Sequence, residues 1–247
     1  MKLSYMTWEQ VQGADRDSII FLPVVSLKQH GLHLPLATDQ LIMSSLVEEV
    51  EKELSEQVIL CPMLLAGASY GCSEFAGSML YSKETVSAFI EETIHSFIKH
   101  DFTKFYLLSP NKEDSEVYKL ILKQIKNNDF YQNCCCISYE ELVSDVVKKQ
   151  LEGPLKEIGH ADEFETSLML HLHPKLVLKD KIQDELLISQ PLIKGLILNY
   201  NEISEWGVYG YPTFANAKKG GFFFDLLKKE LQKQLKAFHK GYILAEP

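Results

Sequence analysis

Ile19-Ile20-Phe21-Leu22-Pro23-Val24-Val25 runs straight into Ser26-Leu27-Lys28-Gln29-His30-Gly31-Leu32-His33-Leu34-Pro35-Leu36-Ala37-Thr38-Asp39, and this stretch decides the fold. Its first seven residues are apolar, too few to span a membrane and bounded by polar residues, which reads as a buried strand. If the strand persists, Lys28 and His30 point to one face, because alternate residues of a strand share a side. Thr38 and Asp39 open a helix, with Ile42, Leu46, Val50 and Leu54 at helical spacing. A strand end that gathers polar groups ahead of a helix is where open α/β sheets build their sites.

Working outward, the pattern alternates. Val58–Leu65 predicts a second strand, followed by the loop GASYGCSEFAGS and a helix from about Lys83 to His100. Phe105–Leu108 predicts a third strand, with the polar stretch Ser109–Asp114 at its end. Helix Ser115–Lys126, strand Cys134–Ser138 and helix Glu140–Leu151 continue the series. Beyond Ile158 the order changes to a helix over Asp162–His173, a strand-like Gly195–Asn199, a glycine-rich stretch and a terminal helix to about Phe238. Strands alternating with helices argue for an α/β fold, a mostly parallel sheet with helices on both faces. With no repeat or linker, residues 1–247 are expected to form a single domain.

Composition bounds the function. The 247 residues are 46% hydrophobic and 24% charged, ordinary for a globular protein. A formal net charge of -9 makes a nucleic-acid backbone a poor partner. No apolar run approaches the ~18 residues of a membrane helix, and MKLSYMTWEQVQ lacks the apolar core of a signal peptide. Five cysteines, three of them consecutive at Cys134–Cys136, fit neither a disulfide framework nor a metal-binding spacing. The expectation is a cytoplasmic protein. No glycine-rich phosphate loop follows the first strand, which argues against a nucleotide- or flavin-binding sheet.

Several motifs together resemble the creatininase (creatinine amidohydrolase) family of metal-dependent amidohydrolases. Lys28–Asp39 is similar to that family's E-x-H-G-x-H-L-P-L-x-T-D, and Phe75-Ala76-Gly77-Ser78 to its F-P-G-T. Gly159–Ser167 resembles H-A-G-x-x-E-T-S, Gly207–Pro212 resembles G-x-x-G-x-P, and the opening Thr7-Trp8-Glu9 also fits. The resemblance implies a three-layer α/β/α fold and a homo-oligomer, for which Phe222-Phe223-Phe224 is a candidate contact. It also implies a dinuclear site made by a Glu and a His of the first motif, its final Asp, and a His and an acidic residue after the third strand.

Carried over, His30 and Asp39 match, and Glu113 matches the carboxylate after the third strand. Lys28 stands where the family has its Glu, and Asn111 where it has its His, since N-G-H-x-x-N has become Ser109-Pro110-Asn111-Lys112-Glu113-Asp114. The metal ligands implied are therefore His30, Asp39 and Glu113, for at most one Zn, Mn or Fe. An ammonium beside a dication is repulsive by several kcal/mol even at an effective dielectric of ~20. An isolated lysine also holds its proton to about pH 10.4. Lys28 is thus expected to occupy one vacant metal position and to pair with Asp39. His160 matches the position of proton transfer, with Glu165 orienting its neighbours.

Simpler readings stand beside these. Asp39 is a good helix cap, Asn111 and Glu113 suit a helix start, and His30 alone is an ordinary loop histidine. Two functions remain open: a diverged amidohydrolase acting on a small cyclic or linear amide, and an inactive relative serving as a binding or assembly subunit.

Overall fold

A computed structural model describes residues 1–68, 70–125, 133–185 and 204–241. Its centre is strand β1, Ile19–Val25, every residue of which is buried. Alternation sends Ile19, Phe21 and Val25 to one apolar cluster and Ile20, Leu22 and Val24 to another. A strand buried on both faces carries no polar alternation, which is why this run reads as continuously hydrophobic.

Among the described residues the strands of the sheet pair in parallel. Strand β4 (Lys104–Ser109) lies along one side of β1, from Ile19 opposite Lys104 to Pro23 opposite Leu108. On the other side lie β2 (Val58–Leu60) and β3 (Leu64–Leu65), and β5 (Asn133–Ser138) extends the sheet beyond β4. The order is β2-β1-β4-β5. The single strand expected over Val58–Leu65 is thus two short ones. Phe21 and Val25 direct their carbonyls to this side, accepting from Cys61 and Ala66. Pro23, two residues from each, turns its missing N–H the same way, opposite the interruption at Cys61-Pro62-Met63. A proline inside a sheet is tolerated where no ladder bond is required of it.

Helices cover both faces. Helices α2 (Thr38–Leu54), α5 (Tyr139–Gln150), α6 (Glu163–Leu172) and α7 (Ala217–His239) pack on the Phe21 side. Helices α3 (Lys83–Ile98) and α4 (Lys112–Ile125) pack on the Leu22 side, beyond the short α1 (Trp8–Gln12). In α7, Phe223, Leu227, Leu231 and Leu235 recur every fourth residue and are fully buried. Each contributes roughly 1.5–3 kcal/mol by leaving water. The aromatic run at 222–224 is consequently split: Phe222 is 48% exposed, whereas Phe223 and Phe224 belong to the core. The strand expected over Gly195–Asn199 lies outside the described residues.

The three-layer α/β/α expectation holds. Among the described residues no helix is long and apolar enough to cross a membrane.

Candidate metal centre

The site forms where the chain leaves β1. The strand does not persist to Lys28: it ends at Val25, and the next residues turn back on themselves, with isolated bridges Leu27–Met79 and His30–Leu34. The Lys28 N–H donates to the Leu36 carbonyl at 3.3 Å, closing the turn. Gly31 has φ +67°, and a Cβ there would come within 2.8 Å of Val208, so glycine is required on both counts.

This loop carries His30 to the head of α2. The His30 ring donates from Nδ1 to the Lys28 carbonyl at 3.0 Å. That fixes the tautomer and turns Nε2 toward two carboxylates, Asp39 Oδ1 at 3.2 Å and Glu165 Oε1 at 3.6 Å. Asp39 lies in the first turn of α2, yet Ala37 is the N-cap and Asp39 caps nothing. Its second oxygen accepts from Ser26 Oγ at 3.3 Å and faces Lys28 Nζ at 3.4 Å. His30, Asp39 and Lys28 are all buried.

The opposite wall comes from the head of α6. Asp162 caps this helix, accepting from the N–H groups of Phe164 and Glu165. Ala161 holds φ +50°, an uncommon value for a residue with a side chain, and so turns His160 inward. His160 exchanges backbone hydrogen bonds with Tyr209 at 2.9 and 2.8 Å. Its Nε2 donates to the Gln29 carbonyl at 2.8 Å, which leaves Nδ1 facing Glu165 Oε2 at 3.9 Å. The His30 and His160 rings stand 4.6 Å apart. Glu165 Oε2 also accepts from the Ala161 N–H at 2.6 Å. Gly159 holds this wall in place, because a Cβ there would lie 1.8 Å from the Tyr209 oxygen. Gly159→Ala is expected to cost at least about 2 kcal/mol by overpacking, read as a lowered denaturation midpoint.

Electrostatics follow from burial and pairing. Burial pulls His30 toward neutrality, but Asp39 and then Glu165 outweigh it and raise its pKa to about 9. Burial and the neighbouring His30 push His160 down to about 3, so it is neutral at ordinary pH. Burial disfavours the Lys28 ammonium, yet Asp39 and Asp114 hold its pKa well above the ordinary value. Burial would raise Asp39, but Lys28 and His30 hold it below the usual carboxylate range. His33 is tied to Thr166 Oγ1 at 2.8 Å, and burial lowers it to about 4.

The structure distributes the expected residues unevenly. His30, Asp39, Lys28, His160 and Glu165 come together; Glu113 stands on the first turn of α4 outside this hydrogen-bonded cluster, with the Lys28 charge acting on it. The carboxylate turned inward there is its neighbour Asp114, which accepts from the Ala68 N–H at 3.1 Å and from Asn111 Nδ2 at 3.0 Å. Asp114 precedes Tyr118, Ile121 and Leu122 by four, seven and eight positions, and all three are buried. That helical stripe was a signal the motif alignment passed over.

His30, His160 and Glu165 each direct one ligand atom to a common point, these atoms lying within 4.8 Å of one another. Both rings give their other nitrogen to a backbone carbonyl, the usual way a metal-binding imidazole is oriented. Two imidazoles and a carboxylate suit a divalent metal such as zinc and leave a fourth position open. Charge fits too: Lys28 and protonated His30 face Asp39, Glu165 and Asp114, so exchanging the His30 proton for a dication leaves the cluster neutral. The residues present fit one such ion.

A three-layer α/β protein with imidazoles and carboxylates converging at its strand ends belongs to the class of proteins with a candidate hydrolytic metal centre. This chain is a member of the creatininase family, whose profile, described as creatinine amidohydrolase, matches residues 4–235. It is 30% identical over 197 residues to the creatinine amidohydrolase of Pseudomonas putida, covering 72% of this chain and 74% of that protein. It is 26% identical over 221 residues to the mycofactocin precursor peptide peptidase of Mycobacterium ulcerans (strain Agy99), covering 83% and 79%. Two solved creatininase structures, one described as Zn-Zn type and one as Mn, share the fold with TM-score 0.80 and 23% identity. They cover 95% of this chain and 96% and 97% of theirs. Family members are amidohydrolases, which places the chain at the coarse level of a hydrolase.

Proposed function

We propose that this protein hydrolyses the C–N bond of a small cyclic or linear amide, using one divalent metal held by His30 Nε2, His160 Nδ1 and Glu165. The observation that carries this reading is the convergence of those three ligand atoms within 4.8 Å in a buried site. A site without a task has no evident reason to keep such costly groups together. A divalent metal bound there lowers the pKa of water and polarises a carbonyl.

The remaining work falls to the chain. The Lys28 and Gln29 carbonyls orient the two rings. With His30 neutral, Asp39 Oδ1 loses the ring N–H it faced and becomes an acceptor beside the site, placed to take a proton from attacking water. His160, expected from the motif to carry protons, is assigned here to ligation, because its Nδ1 faces Glu165 and converges with His30 Nε2 while its Nε2 is engaged by the Gln29 carbonyl. Glu113, expected from the motif as a ligand, is left out of this set, because the three ligand atoms that converge are those of His30, His160 and Glu165.

Zn and Mn are the candidate ions, since solved relatives are described with them. The curated relatives bracket the substrate class, one acting on creatinine and the other on a precursor peptide. The second reading, an inactive binding subunit, draws on Lys28 and on Asn111, whose amide is engaged with Asp114. A panel of cyclic amides, linear amides and short peptides separates the two. Hydrolysis that is lost with a chelator and restored by Zn or Mn is expected. No hydrolysis across the panel by protein with zinc bound supports the binding subunit.

A further inference from the structure

We propose that the Lys28 ammonium is the built-in second cation of this centre and binds the carbonyl oxygen of the scissile amide. The proposal deepens the hydrolase reading and rests on it for the identity of the bound group. Its first support is Asp39. One Asp39 oxygen faces His30 Nε2 at 3.2 Å, on the metal side, and the other faces Lys28 Nζ at 3.4 Å. Asp39 thus lies between the metal-binding ring and the ammonium, so the lysine stands where a two-metal hydrolase has its second ion.

The second support is that the ammonium is fixed in place. The Lys28 side chain is 5% exposed, and Asp114 is the next negative charge acting on it after Asp39. Asp114 is itself wholly buried and anchored by Ala68 N–H and Asn111 Nδ2. Asn111, the residue matching a family histidine, therefore spends its amide on a carboxylate whose charge acts on the lysine.

The third support is donor capacity. Among the described residues the ammonium makes one ion pair, at 3.4 Å, although it carries three N–H groups. Its remaining donors suit an oxygen that gains negative charge. In the reaction, water adds to the amide carbon and the C=O electron pair moves onto oxygen beside Lys28. The C–N bond then breaks as that pair returns, and the amine leaves with the proton taken from water. Lys28 neither gains nor loses a proton. Preorganised donors at a developing oxyanion are commonly the largest single contribution to such catalysis.

The test reads metal and ligand binding, so it stands apart from turnover. Wild-type chain loaded with zinc is expected to hold one ion. Lys28→Met, which removes the charge at similar volume, should still hold one but bind it at least about tenfold more tightly, because the repulsion is gone. Lys28→Glu should accept a second zinc. With acetohydroxamate as a carbonyl-bearing probe on the zinc-loaded chain, Lys28→Met should lose about tenfold in affinity. Two zinc ions in the wild type overturn the proposal without any variant. Zinc affinity within about twofold of wild type in Lys28→Met, or unchanged acetohydroxamate binding, also overturns it. One zinc with no amide hydrolysed would instead count against the hydrolase reading alone.

Discussion

Asp39→Ala is expected to cost about 3–5 kcal/mol of stability, because it leaves buried cations without their shared counter-ion. Asp39 is wholly buried and sits between Lys28 and His30, with Ser26 as its neutral partner. Removing one partner of a buried ion pair exposes much of the desolvation penalty of the other, and here Lys28 and His30 both lose their nearest carboxylate, keeping only the weaker pull of Asp114 and Glu165. For a chain of this size the loss translates to a fall in melting temperature of roughly 6–10 °C. Asp39→Asn keeps the shape and the hydrogen-bonding atoms and should cost less. Asp39→Ala combined with Lys28→Met should recover a large part of the loss, since the two sites are coupled through one contact. A fall below about 3 °C for Asp39→Ala, an order of magnitude that belongs to an exposed pair, would show that the carboxylate does not hold the cluster together.

The second large effect is on metal affinity with pH. In the metal-free chain His30 is protonated up to a pKa of about 9. Ligation requires the neutral ring, so metal and proton compete for Nε2. The sign is fixed: raising the pH toward 9 frees His30 and strengthens binding, whereas each unit below costs about tenfold. Between pH 9 and pH 6 the apparent zinc affinity should fall about a thousandfold, with about one proton released per ion bound near neutral pH. His160 adds no pH dependence in that range, being neutral throughout it. Zinc affinity flat from pH 6 to 9, measured by competition with an indicator, would remove His30 Nε2 from the ligand set.

Much of this was legible in the residues. The apolar run 19–25 fixed the central strand, and the alternation after it fixed the layers. The segment 28–39 and the residues around His160 each carry imidazole and carboxylate groups in sequence. What the sequence hid was geometry within a turn. Proline at 23 and at 62 broke the second strand in two, a consequence of a missing N–H that periodicity does not register. Lys28 and His30 reached Asp39 through a loop closed by Gly31, with no strand continuing beneath them. Glu113 and Asp114 are adjacent, and the motif points to the first while the second is the one turned inward. One residue is about 100° of helix rotation, enough to exchange the interior for solvent. Asp39 had the look of a cap, and only the position of Ala37 shows its carboxylate left for the site. His160 and Glu165 were assigned to proton transfer and orientation, and their approach to His30 across the sheet end was not visible along the chain.

The most direct measurement is zinc per chain in the wild type, His160→Ala and Glu113→Ala, by elemental analysis after removal of loose metal. The proposed ligand set predicts one ion, none, and one. Zinc retained in His160→Ala but lost in Glu113→Ala would contradict it and return the metal to the ligand set that the motif alone implied.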